Sequence, residues 1–201
     1  SEYSANSLIE CKTDSLCSIY SGFQHTFELK EGRFNSYYKD GSLKEQGIYE
    51  NNIKEDQWYE YYPNNNILSS ISYVNGSGLY TSYYDDSKNS ITHTTGYYID
   101  EKKSGLWREY GRDRELIRDY YYKEDALDVN YPMNIYYKSD EMKDDIEYDP
   151  NNIKLKTRFF CNGTSESYIY DGVFESYYLN NNLQTSGVYK NNNKYGFWIE
   201  Y

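Results

Sequence analysis

Two histidines, three cysteines and a surplus of carboxylates are the residues of this 201-residue chain that could do chemistry. His25 and His93 lie far apart in the sequence, and neither sits in a nucleophile, metal or phosphate motif. Cys11 and Cys17 are close enough to close a short disulfide loop, with Cys161 left over; two unrelated thiols are the other reading. The densest carboxylate cluster is Asp140, Glu141, Asp144, Asp145, Glu147 and Asp149. A calcium loop needs alternating oxygen ligands and a turn glycine, and this run contains no glycine. A solvated loop and a partner-facing acidic patch both fit it. As candidate binding residues, these six are expected to attract a basic partner.

Charge narrows the range of partners. Lys and Arg number 21 against 32 Asp and Glu, a net charge of −11, and the pI is near 4.7. That balance argues against nucleic-acid phosphate or an anionic membrane face. Hydrophobic residues make up 38% of the chain, below the usual ~45–50%, and mean hydropathy is −1.00. Disordered chains share such values but are poor in aromatics, whereas this chain holds 29 Tyr, 7 Phe and 3 Trp. The apolar runs are too short for a membrane span or a retained signal peptide. A first residue Ser1 and a possible disulfide pair lean toward a periplasmic or exported protein, with a cytoplasmic one as the alternative.

The elements that would position any site come from a repeat. Gly105-Leu106-Trp107-Arg108-Glu109-Tyr110 has counterparts beginning at Gly32, Asp56, Gly78, Gly172 and Gly196. Their key aromatics fall at 34, 58, 80, 107, 174 and 198, a period that signals a repeat array. The gap between 107 and 174 is long enough for two more, degenerate, units. Each unit has a second half, Leu43-Lys44-Glu45-Gln46-Gly47-Ile48-Tyr49 or Leu183-Gln184-Thr185-Ser186-Gly187-Val188-Tyr189. Between the halves sit Lys39-Asp40-Gly41 and Asn180-Asn181-Asn182, and between units Asn51-Asn52, Asn75-Gly76 and Asn191-Asn192. Residues of these types tolerate positive φ and suit tight hairpin connections. This explains Asn75-Gly76-Ser77 and Asn162-Gly163-Thr164 as turns without appeal to glycosylation. No segment carries a helical apolar period.

The expected fold is all-β: tandem antiparallel hairpins in an elongated, twisted, largely single-layer sheet. Alternate residues share a strand face, so Gly105 is expected beside Trp107 and Gly47 beside Tyr49. Rings lying across strand glycines are a known stabilising device. The polar residues Ser36, Glu60, Ser82, Glu109, Ser176 and Glu200 on that face are unsuited to a sealed sandwich interior. Residues 1–31 stand outside the repeat, 32–201 form the repeat domain, and 111–152 are a degenerate stretch in which Tyr120–Tyr122 and Tyr136-Tyr137 mark strands.

Gly-x-Trp-x-x-Tyr, an Asn/Asp-Gly turn, Leu-x-x-x-Gly-x-Tyr and a second Asn-rich turn resemble the MORN-repeat variant family. The resemblance covers 32–110 and 153–201 and implies a hairpin solenoid. It also implies a non-catalytic immunity or antitoxin protein that occludes a bacterial toxin. Tyr-rich surfaces bind proteins at low entropic cost, and an acidic protein would be steered onto a basic partner. A carboxylate-pair hydrolase would need a water-excluding cleft that a repeat surface does not offer. The expectation is therefore no enzyme and no cofactor. A carbohydrate-binding module is the alternative, distinguished by whether the rings are exposed or stacked on glycines.

Overall fold

The computed structural model describes residues 30–85, 91–137, 154–163 and 167–201. Its fourteen strands are β1 (Gly32–Tyr37), β2 (Leu43–Glu50), β3 (Ile53–Tyr61), β4 (Ile67–Val74), β5 (Ser77–Tyr83), β6 (Thr92–Ile99) and β7 (Lys102–Tyr110). Then come β8 (Leu116–Lys123), β9 (Ala126–Leu127), β10 (Met133–Tyr136), β11 (Leu155–Gly163), β12 (Tyr168–Tyr177), β13 (Leu183–Lys190) and β14 (Asn193–Glu200). They form one antiparallel sheet in chain order, with β9 alone off the path as a short partner of β8. The sheet does not close, since β1 and β14 are its two ends. At about 4.8 Å per strand it runs roughly 60 Å along its hydrogen bonds, about twice the length of its longest strand.

The connections follow from local chemistry. At one edge of the sheet Asn51-Asn52, Asn75-Gly76 and Asn191-Asn192 all have positive φ at both residues, as a two-residue type I′ turn requires. Asp100-Glu101 and Glu124-Asp125 make the same turn, although glutamate gains nothing from the left-handed region. At the opposite edge, longer loops close on Asx bonds, with the Asp40 and Asn180 side chains accepting from the amides of Ser42 and Asn182. In every long hairpin the register slips by one residue beside that loop, at Tyr37, Tyr61, Tyr83, Tyr110, Tyr136 and Tyr177. A bulge recurring at one place raises twist in each repeat.

The ring-and-glycine device exists at Gly47 and its equivalents, but not at Gly105. Gly47 faces three residues of β3, Asp56 to Trp58, where the partner strand carries two extra. Gly96 and Gly187 face Gly105 to Trp107 and Gly196 to Trp198 in the same way. The indole then folds back over the glycine: a Cβ on Gly47, Gly96 or Gly187 would meet ring carbons at under 3.0 Å. Gly105 itself is uncovered and has φ +69, so it serves the bulge rather than the ring. Asp56, its equivalent, has φ 60. The period-two face rule fails here because three residues oppose one.

Three junctions gather an equivalent triplet of rings. Phe34, Tyr49 and Trp58 meet with centroids 4.8–5.6 Å apart; so do Tyr80, Tyr98 and Trp107 at 5.4–5.6 Å, and Phe174, Tyr189 and Trp198 at 5.0–5.6 Å. A lysine four residues before each indole lies over it: Lys54, Lys103 and Lys194. These rings fill the core that the chain's few aliphatic residues could not. Beyond Trp107 the core continues through Tyr120, Tyr122, Leu127, Met133, Phe159 and Cys161. Among the described residues the interval between Trp107 and Phe174 holds one such hairpin, β10 with β11, not two. Met133 takes the ring position there, two residues before Ile135 and four before Tyr137.

Paired tyrosines stitch successive hairpins at the long-loop edge. The hydroxyls of Tyr38, Tyr62, Tyr84, Tyr137 and Tyr178 donate to the main-chain carbonyls of Tyr61, Tyr83, Tyr110, Tyr177 and Tyr201. One rung is missing, because Gly111 follows Tyr110 where the other hairpins have a second tyrosine.

Candidate interaction surface

The two faces of the sheet differ in kind. The ring face carries a polar row beside its rings, from Ser36 through Glu45, Glu60, Ser69, Ser82, Thr94, Glu109 and Arg118 to Glu200. Ser69 and Ser82 are buried, and most of the others are half-buried, so several of these groups pair with one another. Ser69 donates to Glu60 at 2.7 Å, Tyr120 to Glu109 at 2.6 Å, and Arg118 meets Glu109 at 2.5 Å. Lys54 lies 2.9 Å from Glu45. That face is occupied by its own contacts.

The outer face is open. One unbroken row crosses it: Asn35, Gln46, Tyr59, Ser70, Thr81, Thr95, Arg108, Asp119, Asn134, Arg158, Glu175 and Ser186. Its first half is neutral and its second half charged. The first tyrosine of three pairs folds back onto this row: Tyr61 accepts from Gln46 at 2.5 Å, Tyr136 donates to Asp119 at 2.7 Å, and Tyr177 donates to Glu175 at 2.7 Å. Asn134 bridges Asp119 and Arg158. Burial, then the bond to Asp119, raises the Tyr136 phenol well above its ordinary pKa. Two residues along each strand from that row lie two separate apolar pairs, Leu79 opposite Tyr97 and Val173 opposite Val188, and Leu79 and Tyr97 are 54% and 50% exposed. Sequence reasoning identified neither the row nor the pairs, because both emerge only once the bulges set the register.

The six acidic candidates Asp140, Glu141, Asp144, Asp145, Glu147 and Asp149 lie outside the described residues, as do His25, Cys11 and Cys17. His93 occupies the bulge of β6, its ring 4.6 Å from Tyr84. Cys161 is buried in the core with its thiol pushed up to about 11 by burial, which makes it an inert packing residue. Among the described residues no group of three His, Cys, Asp or Glu could hold a metal ion, and no helix is long and apolar enough to cross a membrane. No protein-family model and no curated protein matches this chain.

Proposed function

We propose that this chain is a non-catalytic binding protein that covers a basic protein partner, in the manner of the immunity proteins its repeat resembles. The observation carrying this reading is the outer face: a continuous sheet surface with exposed Leu79, Tyr97, Val173 and Val188 beside a charged row. Such a surface is pre-ordered by backbone hydrogen bonds, so little entropy is lost on binding. Rigid aromatic and aliphatic anchors beside charged groups are what protein interfaces use. The tandem sugar-module alternative is less well supported, since the repeat rings Trp58 and Trp107 lie against glycines and are buried. Steering comes from the net charge of −11, and residues 140–149 carry six carboxylates and one lysine.

The test is co-purification with the product of the adjacent gene, followed by assay of that protein's activity with and without this chain. A stable complex that suppresses the activity, weakened by Leu79→Asp or Tyr97→Ala, supports the reading. Neutralising Asp144 and Asp145 to asparagine should lower the association rate and flatten its salt dependence, leaving dissociation unchanged. Absence of any complex, or a complex indifferent to the outer-face variants, refutes it.

A further inference from the structure

Over β7 the outer face dips into a groove of about 480 Å³, within the roughly 300–1,000 Å³ usual for small-molecule sites. Its floor is Ser104 and Gly105, at the register positions where β3 carries Glu55 and Asp56. A Cβ on Gly105 would meet nothing within 4 Å, so the floor is bare. Ile99, 52% exposed, forms one wall.

The other wall is foreign to the repeat. After β9 the chain makes a short loop whose Tyr131 stacks on Tyr121 at 4.3 Å and 20° between planes. The loop is held by its backbone: the Asp128 amide donates to Tyr121, the Tyr131 amide to Asp128, and Asn130 caps the Asp128 carboxylate. Tyr131 is thus a fixed platform, and it remains 48% exposed. Five charged residues line the groove, Lys102 and Lys123 with Asp100, Glu124 and Asp128. Asp128 is held by Asn130, and among the described residues the other four make no side-chain hydrogen bond or ion pair.

An anion would be repelled by the three carboxylates and a cation by the two ammoniums. Both sets are satisfied by hydroxyl groups, which donate to carboxylates and accept from ammoniums. A ligand must also offer a flat apolar face to the Tyr131 ring. We propose that this groove binds a pyranose ring of a neutral oligosaccharide, stacked on Tyr131 above the bare floor of Ser104 and Gly105. The site is separate from the protein-binding reading and does not depend on it.

The test is calorimetric titration of the full chain with two probes, the β-1,4-linked hexasaccharides of glucose and of N-acetylglucosamine. Saturable binding of at least one is expected, with Kd of about 1 mM or tighter. Tyr131→Ala should weaken it by about tenfold or more, and Ser104→Phe, which fills the floor, should abolish it. Far-UV circular dichroism of both variants should match the parent. Failure of both probes to bind, or binding unchanged in both variants, overturns the proposal; so does binding of oligo-arginine or a sulfated oligosaccharide at this groove without either neutral probe. The protein partner's affinity, measured separately on Tyr131→Ala, distinguishes failure here from failure of the protein-binding reading.

Discussion

Trp107 and Trp198 are set in the same local surroundings and end in different ones. Each folds over a glycine of the preceding strand, Gly96 or Gly187. Each has a lysine ammonium over its indole, at 4.9 and 4.2 Å, and a tyrosine edge-on, at 5.5 and 5.0 Å. Yet Trp107 is 1% exposed, while Trp198 is only partly buried. The difference is the next strand. β8 places Tyr120 directly opposite Trp107 and Tyr122 5.7 Å away, whereas β14 is the end of the sheet. The repeated motif orients a ring; its neighbour buries it. Stability in such an array therefore resides in the interfaces between repeats more than in the repeat itself.

Replacing the two indoles tests this most severely. Trp107→Ala should cost about 3–5 kcal/mol, the usual range for a buried large aromatic, and Trp198→Ala about 1–2 kcal/mol for partial burial. Urea unfolding of the two variants measures both, and equal losses would break the comparison. The glycines sharpen it. Gly96→Ala forces a Cβ into an indole that cannot retreat, a loss of about 1–3 kcal/mol, whereas at Gly187 the edge indole can swing outward and the loss should be smaller. Equal melting temperatures for these two variants would show that the rings relax alike.

Alkaline pH acts on the same junctions. Burial holds Tyr49 and Tyr170 up at about 12, against an ordinary value of 10.0. Their contribution is complete below pH 10, where both states keep the proton. It is lost as pH rises from 10 to 12, because the unfolded chain ionises first. The urea midpoint should fall across that window and be flat from pH 7 to 9, and a fall that begins below pH 9 would implicate other groups.

Two smaller effects complete the series. Tyr84→Phe removes the rung to Tyr110 and should cost about 1 kcal/mol, more than Tyr178→Phe at its exposed rung. Glu124→Asn relieves a glutamate at φ 50 and should stabilise the chain by roughly 0.5–1 kcal/mol. A shift of the thermal midpoint in the opposite direction would mean that the Glu124 carboxylate has a role in holding its turn.

The hairpins were legible in the sequence because aromatic runs, Asn-Gly and Asn-Asn each have one strong local meaning. The roles of Gly105 and Gly96 were not, since a bulge of three residues against one cannot be read from spacing. Asp56 at the Gly105 position is the available clue, as both residues tolerate positive φ. Met133 was also recoverable: Tyr136-Tyr137 matches Tyr37-Tyr38 and Tyr61-Tyr62, and counting back three residues from the first tyrosine lands on it. The outer polar row and the Tyr131 platform depend on contacts between strands and on a loop outside the period, so no local pattern announces them. The acidic run was conspicuous for its composition alone.

The missing rung at Gly111 bears on how the sheet comes apart. A row of hairpins that touch only their neighbours opens strand by strand, from either end. The tyrosine rungs lengthen that coupling, since Tyr38 reaches past β2 to β3 and Tyr84 past β6 to β7. Between the β7–β8 hairpin and the β10–β11 hairpin no rung crosses, and among the described residues the two blocks are joined only by a ladder of two residue pairs, the Asn134 and Tyr136 bonds to Asp119, and the aromatic core. Unfolding then has a natural stopping place. Amide exchange in the native state should show the strands up to β8 and those from β10 onward opening as two cooperative units, with their boundary just after the one repeat that lacks its second tyrosine.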